Sequence, residues 1–307
     1  MSIICHGGAS GFKLEQLEII EKKYSNNPIL SKIRFFYEEG IRKAIEAGKE
    51  LLDNGYDADK IVVKVISILE NNELFNAGRG CCLTENGKIE LDSFIMDNNK
   101  NFGAITLGTN IKNPIIFANK IKNEFGMKML GGEALNKWIK HFEIETKDQE
   151  YFISENKDII NNEIRNVLKD IKYSTVGCVV KDKMGQFSAG TSTGGVINKQ
   201  WGRIGDSPII GCGTYVEPHF GAISCTGTGE KFMKECIAYD ILCQIKYVNK
   251  KMLDAMTFSI NKLPEKSGGC IGIDNNGKCY AFFNSKSMFY GYLENGKIYY
   301  GLENILV

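Results

Sequence analysis

The sequence predicts an α/β protein of the α+β type, in which two β-sheets pack face to face between outer layers of helices, an αββα arrangement. Three observations support this fold class. Each half of the chain contains several short extended segments, and each half contains helical segments with apolar residues at a spacing of three to four. Four Gly-containing turns join extended segments in pairs, which is typical of β-hairpins.

The N-terminal half opens with a predicted strand, "SIICHGG". Two helices follow: one over 33–55 that stops at Gly55, and one over 57–72 that begins at Asp57 as N-cap. The remaining predictions for this half are a hairpin around "ENGK" over 81–97, a strand over 102–108, helical structure over 115–142 and a helix over 156–170.

The C-terminal half begins at Thr175 with a predicted strand, a turn and a second strand, in "TVGCVV–KDKMGQ–FSAGTST". A strand running into a glycine-punctuated turn, "GAISCTGTGE", precedes one predicted helix over 231–248. Two hairpins, "CIGID–NNGK–CYAFFN" and "MFYGYL–ENGK–IYYGL", complete the chain.

The composition narrows the function classes. The 307 residues carry a formal net charge of +1, which gives no indication of nucleic-acid or membrane binding. No apolar run approaches the ~20 residues that a membrane span requires. The start lacks the pattern of an export signal, and the ten cysteines form no C-x-x-C pair. Together these features predict a cytoplasmic protein with reduced thiols.

Four stretches are candidates for chemistry: "HGGAS", "TSTGGVINKQWGRIGDSP", "CTGTGE" and "YSTVGCVV". In the second, a guanidinium at Arg203 and a carboxylate at Asp206 could hold both charged ends of an amino acid, or could form an ordinary exposed ion pair. The third favours an anion site at a helix start, since Gly-rich strand–helix junctions direct N–H groups outward. The fourth, taken alone, is better explained as an ordinary strand that starts on a threonine.

Eight ordered motifs resemble the plant-type asparaginase/isoaspartyl peptidase family of N-terminal nucleophile hydrolases. They are "HGGA", "LFNAGRG", "ELDSFIMD", "STVGCVV", "TSTGG", "GRIGDSPIIGCGTY", "SCTGTGE" and "SGGCIGID". The resemblance implies a four-layer αββα sandwich formed by a single domain, 1–307. It also implies self-cleavage between Ser174 and Thr175, which yields an α-chain of 1–174 and a β-chain of 175–307.

The resemblance assigns a role to each matching position. Thr175 would be the nucleophile, with its freed α-amine as general base, since that amine titrates near neutrality. The other implied roles are hydrogen bonding to the nucleophile by Thr193, an oxyanion hole from Thr226 and Gly227, substrate binding by Arg203, Asp206 and Gly229, and orientation of the nucleophile region by Asn76. The implied activity is hydrolysis of the side-chain amide of L-asparagine and of β-aspartyl dipeptides.

The resemblance implies no required cofactor, but it suggests a structural sodium ion. Its ligands would be backbone carbonyls in "LENNELFNAGR", at Leu69, Glu70, Asn72, Phe75, Ala77 and Arg79. The implied partners are a small-molecule substrate and a second αβ unit in a dimer, with no nucleic acid and no membrane.

Three positions depart from the family pattern. Ser174 precedes the nucleophile where glycine is usual, Ser10 ends "HGGAS" where glycine is common, and Phe94 replaces a smaller residue. Two alternatives stay open at this point. One is a glycosylasparaginase-type hydrolase, against which the absence of Asp at 174 counts; the other is an uncleaved, non-catalytic protein that binds an amino acid.

Overall fold

The computed structural model describes residues 1–10, 14–124, 126–156, 158–159, 162 and 175–302. Its strands are β1 (Ser2–Ser10), β2 (Leu91–Asp97), β3 (Phe102–Gly108), β4 (Met129–Gly131), β5 (Val176–Lys181), β6 (Phe187–Thr193), β7 (Thr214–Glu217), β8 (Gly221–Gly227), β9 (Gly268–Asp274), β10 (Cys279–Phe283), β11 (Ser287–Glu294) and β12 (Lys297–Gly301). Its α-helices are α1 (Leu14–Lys23), α2 (Ile33–Asp53), α3 (Ala58–Glu70), α4 (Pro114–Asn123), α5 (Leu135–His141), α6 (Gln149–Phe152), α7 (Gly229–Glu235), α8 (Ile237–Val248) and α9 (Met252–Asn261).

The described strands form two sheets in a mixed α/β fold. The larger has eight strands in the order β12-β11-β1-β5-β6-β2-β3-β4, and the smaller has four in the order β10-β9-β8-β7. Every pairing is antiparallel except that of β3 with β4. In the central strands β1, β5 and β6, consecutive side chains are nearly all buried, so both faces of these strands are covered.

Alternate residues of the central strands belong to two different apolar clusters. Ile3 and Cys5 of β1 join a cluster with side chains of α2 and α3, whereas Ile4 joins a second cluster that includes side chains of β8, β9, α8 and α9. The same alternation separates Cys178 from Val179 in β5. Side chains that point to opposite faces with a period of two produce this division. One face of the larger sheet therefore packs on α2 and α3, and the other packs on the smaller sheet.

The structure confirms the two predicted N-terminal helices and the last two hairpins. The side chain of Asp57 caps α3 by accepting a hydrogen bond of 2.8 Å from the Lys60 N–H. The predicted hairpin over 81–97 is wrong in its first arm, which forms no strand. The backbone N–H groups of Cys82 and Glu85 instead donate to Asn76 and Lys199, so this segment is bound to the loop that precedes it and to a distant loop near residue 199.

Two predicted helices are interrupted. The helical structure predicted over 115–142 divides into α4 and α5 with β4 between them, where Gly126 and Gly132 have positive φ. The helix predicted over 231–248 begins at Gly229 and breaks at Cys236, whose φ of 45° is left-handed. A residue in that conformation cannot continue a right-handed helix.

The predicted helix over 156–170 and the cleavage residue Ser174 lie largely outside the described residues. Five described elements, α1, α6, α9, β4 and β7, have no counterpart among the sequence predictions. None of the described helices combines the length and apolar character needed to cross a bilayer.

Candidate active site

Thr175 lies immediately before β5, between the two sheets. Thr175 is buried, with 4% of its surface exposed to solvent, and its Oγ1 lies 2.9 Å from Ser207 Oγ. In the ladder of β5 with β6, Val176 pairs with Ser192. Continuing that register by one residue places Thr175 opposite Thr193. The residue that begins the predicted β-chain is therefore a buried hydroxyl flanked by two others.

Asn76 shapes the turn that follows Thr193. Its Nδ2 donates to Gly195 O at 2.6 Å, and its own carbonyl accepts from the Gly194 N–H at 3.1 Å. The Gly195 N–H in turn donates to Thr193 Oγ1 at 3.0 Å. A side chain at Gly194 would clash with this arrangement, since its Cβ would lie 2.7 Å from Asn76 Oδ1. Asn76 thus acts on Thr193 through the turn, and its Oδ1 also accepts from the Cys82 N–H.

Arg203 forms a bidentate ion pair with Glu230, the second residue of α7. Nε and Nη2 of Arg203 lie 2.8 Å and 3.0 Å from the two carboxylate oxygens. Gly229 lets this pair approach the loop that carries Asp206. Its missing Cβ would come within 2.9 Å of Arg203 Nη2, of the Asp206 backbone nitrogen and of Gly205 Cα. Arg203, Asp206 and Gly229 are thus brought together, as the resemblance implies.

Asp206 is a buried carboxyl whose Oδ2 has no hydrogen-bond partner among the described residues. Burial raises the pKa of Asp206 to about 7, against the opposing effects of its own backbone N–H and the charge of Arg203. Glu230 and Asp92 raise the pKa further by charge repulsion. A buried acceptor without a donor suits a cationic ligand group such as an ammonium.

Thr226 and Gly227 lie at the end of β8. The buried hydroxyl oxygen of Thr226 accepts a hydrogen bond of 3.1 Å from the Ala9 N–H, so its proton is available to another acceptor. Gly227 packs so closely on Ser267 that a Cβ would lie 2.3 Å from the Ser267 carbonyl oxygen. The "HGGAS" segment therefore contributes to this part of the site by holding Thr226.

His6 lies behind Thr175 and is fully buried. Its Nε2 is 3.0 Å from Ser224 Oγ. Burial lowers the pKa of His6 to about 3, although the backbone of Thr175 opposes this shift, so the imidazole is neutral. A Cβ at Gly177 would lie 2.3 Å from His6 Nε2, so this close packing requires glycine there. Thr175 Oγ1 bonds to Ser207 rather than to an imidazole.

A buried charged pair supports the glycine-rich loop that carries Arg203. Lys199 Nζ donates to the Glu90 carbonyl at 2.8 Å and lies 3.8 Å from the Glu90 carboxylate. That carboxylate accepts from the Gly202 N–H at 3.1 Å. The Lys199 side chain also passes directly under Gly195, where a Cβ would lie 2.8 Å from Lys199 Cδ. The loop between Gly195 and Arg203 is thus held at Lys199 and at Gly202.

The predicted sodium loop follows α3 and consists largely of turns. Gly80 has no room for a side chain, since its Cβ would lie 2.2 Å from Phe75 O and 2.4 Å from Glu73 O. A Cβ at Gly78 would lie 2.5 Å from Glu70 O. Crowded, uncharged carbonyl oxygens suit a hard cation. The side-chain atoms of the described residues include no group of three His, Cys, Asp or Glu that could hold a metal.

Ser207 and Glu230 were not predicted from the sequence, although both contact predicted residues directly. Neither stands out locally, because their partners are 32 and 27 residues away in the chain. Phe94 lies between the sheets with its ring stacked on Phe102 at a centroid distance of 5.6 Å. Its bulk is thus accommodated by an aromatic neighbour in the adjacent strand.

Comparison with known proteins gives one consistent result. A family model described as asparaginase matches residues 3–302. The chain is 33% identical over 283 residues to an Arabidopsis thaliana protein named probable isoaspartyl peptidase/L-asparaginase 2, which covers 82% of this chain and 87% of that protein. It is 31% identical over 303 residues to the isoaspartyl peptidase of Escherichia coli K12, covering 94% and 91%. A Danio rerio isoaspartyl peptidase/L-asparaginase is 31% identical over 275 residues, covering 86% and 88%.

The protonation of Asp206 leads to a prediction about ligand binding. An ammonium group binds to the ionised carboxylate, so the affinity for free L-aspartate should fall about tenfold per pH unit below about pH 7. Calorimetric titration of the protein across about pH 5 to 8 measures this slope. The Asp206→Asn variant should bind weakly at every pH without a slope, and a wild-type affinity independent of pH would contradict the assignment.

Proposed function

The chain belongs to the asparaginase family whose model matches residues 3–302, and on that basis we propose that it hydrolyses L-asparagine and β-aspartyl dipeptides through Thr175. The relatives named as isoaspartyl peptidases and L-asparaginases support this substrate class. The observation that carries the proposal is the surroundings of Thr175. Its buried hydroxyl contacts Ser207 and lies in register with Thr193.

The chemistry follows from these groups once cleavage frees the α-amine of Thr175. The amine takes the proton from Oγ1 as the oxygen bonds to the β-carbonyl carbon of the substrate. The Thr226 hydroxyl and the Gly227 N–H stabilise the resulting oxyanion. Collapse breaks the C–N bond, and the amine group of Thr175 returns the proton to the departing ammonia or amino acid. Water then hydrolyses the ester to release the aspartyl product.

Substrate orientation is assigned to the charged groups beside this centre. Arg203 holds the α-carboxylate and Asp206 holds the α-ammonium, with the carbonyl of Gly229 as a further acceptor. The buried, unpartnered Oδ2 of Asp206 supports its role. The Arg203–Glu230 pair leaves Nη1 of Arg203 for the substrate, since Glu230 engages Nε and Nη2.

We further propose that the fold is the four-layer αββα sandwich and that the chain forms one domain, processed into 1–174 and 175–307. The division of the central strands between two apolar clusters supports the layering. The proposed assembly is a dimer of αβ units, on the basis of family membership alone. Ten free thiols among the described residues support a reducing cytoplasm as its compartment.

A sodium ion in the loop after α3 is also a proposal. Backbone carbonyls of Leu69, Glu70, Asn72, Phe75, Ala77 and Arg79 would hold it. The crowding of Glu70 O and Phe75 O against Gly78 and Gly80 supports this. The Glu70 side chain connects the loop to β6, because its Oε1 accepts from Ser192 Oγ at 2.6 Å.

Exchange of sodium for choline tests this loop. We expect the midpoint of thermal unfolding to fall by about 2–4 °C, because bound ligands stabilise the folded state. Gly80→Ala, which drives a Cβ into the carbonyls, should unfold at a lower temperature than wild type and lose its response to sodium. Equal midpoints for the wild-type protein in the two salts would rule out the site.

Steady-state kinetics test the activity. The mature wild-type enzyme should hydrolyse L-asparagine and a β-aspartyl dipeptide, with poor activity on a glycosylated asparagine. Arg203→Lys keeps the charge but loses the planar fork, so kcat/KM should fall at least about tenfold on both substrates. Preference for the glycosylated substrate would indicate the glycosylasparaginase alternative, and a near-normal Arg203→Lys would disprove the carboxylate assignment.

Denaturing gels test self-cleavage. Thr175→Ala should remain one chain of 34.3 kDa without hydrolase activity, because it lacks the attacking oxygen. Ser174→Gly should mature faster than wild type, since glycine tolerates a strained scissile bond, and the mature enzyme should have unchanged kcat. Full activity of uncleaved protein, or a smaller fragment that does not begin at Thr175, would contradict the mechanism. An inactive, uncleaved wild type would favour the amino-acid-binding alternative.

A further inference from the structure

Asp92 of β2 lies in one row with the two threonines of the nucleophile region. In the ladder of β2 with β6, Asp92 pairs with Thr193. Thr193 in turn lies opposite Thr175 when the β5–β6 register is continued by one residue. Residues opposite each other on antiparallel strands point to the same face and have Cβ atoms about 4.5–5.5 Å apart. The row therefore runs Asp92, Thr193, Thr175 across three adjacent strands.

The neighbouring residues identify the face to which this row points. Ser192, one position along β6, donates to Glu70 of α3 and thus faces the helices. Thr191, two positions from Thr193, donates through Oγ1 to the carbonyl of Ser207 at 2.8 Å. Ser207 is the residue whose hydroxyl contacts Thr175. Asp92 consequently points to the same side of the sheet as the nucleophile.

A distorted segment of β3 fixes one oxygen of Asp92. The register between β2 and β3 shifts between Leu91 and Ser93, which is a β-bulge. Leu107 in this bulge has a φ of 55°, an unfavourable conformation for a leucine. Its N–H donates to Asp92 Oδ1 at 2.9 Å. Strained conformations of this kind concentrate at functional sites.

The second oxygen, Oδ2, is buried and has no hydrogen-bond partner among the described residues. An unsatisfied buried acceptor is costly and requires an explanation. Lys199 and Arg203 attract the charge of Asp92, whereas Glu90 repels it, and Asp206 experiences the Asp92 charge in turn. Burial is the main influence and raises the pKa of Asp92 to about 6.

Thr193 has a hydroxyl proton that could be donated to an acceptor such as Asp92 Oδ2. Its Oγ1 accepts from the Gly195 N–H, and no acceptor for its hydroxyl proton lies within bonding distance among the described residues. Asp92 Oδ2 is an acceptor without a donor on the neighbouring strand. The two atoms are not directly bonded, and a buried water with polar partners on both sides bridges such gaps.

We propose that Asp92 is a positioning residue that orients the Thr193 hydroxyl toward Thr175, by accepting its proton through one bound water. With its proton directed to Asp92 and one lone pair bonded to the Gly195 N–H, Thr193 presents its remaining lone pair to the α-amine of Thr175, whose N–H donates to it while the amine nitrogen faces the Oγ1 proton. The inference rests on the proposed function of Thr175 as nucleophile. It assigns a role to a carboxylate that touches neither the substrate nor the reacting atoms.

Asp92→Asn tests the proposal with little change of shape. The amide oxygen retains the bond to the Leu107 N–H, but an NH2 group replaces the free acceptor. We expect kcat on L-asparagine to fall about 10–100-fold with KM within about twofold of wild type. Asp97→Asn is the matched control, since Asp97 ends the same strand and pairs with Lys122 instead. It should leave kcat unchanged.

A double-variant cycle separates positioning from general damage. If Asp92 acts through Thr193, then Asp92→Asn should have no further effect in a Thr193→Val background. Three results would overturn the proposal: effects of the two substitutions on kcat that multiply in the double variant, a wild-type kcat in Asp92→Asn, or a raised KM with normal kcat in that variant. The last result would indicate that Asp92 acts on Arg203. Where a variant does not mature fully, the same cycle is read from the rate of self-cleavage. A wild type that cleaves itself but hydrolyses neither substrate would refute the proposed function while leaving this cycle decisive.

Discussion

The ladder between β5 and β6 is the constraint on which the site depends. Both strands are buried on both faces and this fixes their register: β5 supplies side chains to the two apolar clusters, whereas β6 supplies apolar side chains to the second cluster and the polar Ser192 to the helix side. A slip of one residue would reverse the two faces and expose each apolar set to the wrong neighbours. The same register places Thr175 opposite Thr193, and thus the packing of the whole molecule sets the position of one hydroxyl.

Around this ladder, the loops are held by buried polar groups rather than by secondary structure. Asn76 supplies donors and acceptors to the turn after Thr193, and the Lys199–Glu90 pair anchors the loop that leads to Arg203. Each of these groups is fully or almost fully buried. Because an unpaired buried polar group is costly, each contact restricts the loop to one conformation. The site is therefore preorganised before substrate arrives.

Local signals in the sequence were sufficient for elements whose hydrogen bonds are local. The α2 and α3 helices and the last two hairpins were predicted from periodicity, the Asp57 cap and turn residues. The first arm of the 81–97 hairpin was not, because its backbone donors bind residues elsewhere in the chain. The proposed catalytic roles depend on family resemblance. Ser207 and Glu230 leave no local pattern in the sequence, because their contacts with Thr175 and Arg203 are long-range.

The ion pair between Arg203 and Glu230 has a consequence for turnover. Glu230 is half exposed and already satisfies two donors of a guanidinium that is largely buried. In the proposed role of Arg203, the α-carboxylate of the substrate would meet a cation whose charge Glu230 partly compensates, and it would gain less free energy than an unpaired guanidinium would give. The same holds for the aspartyl product, which carries the same two charged groups as the substrate. Weaker binding of the α-carboxylate, which does not react, leaves more of the interaction energy for the transition state. It also prevents slow release of the product.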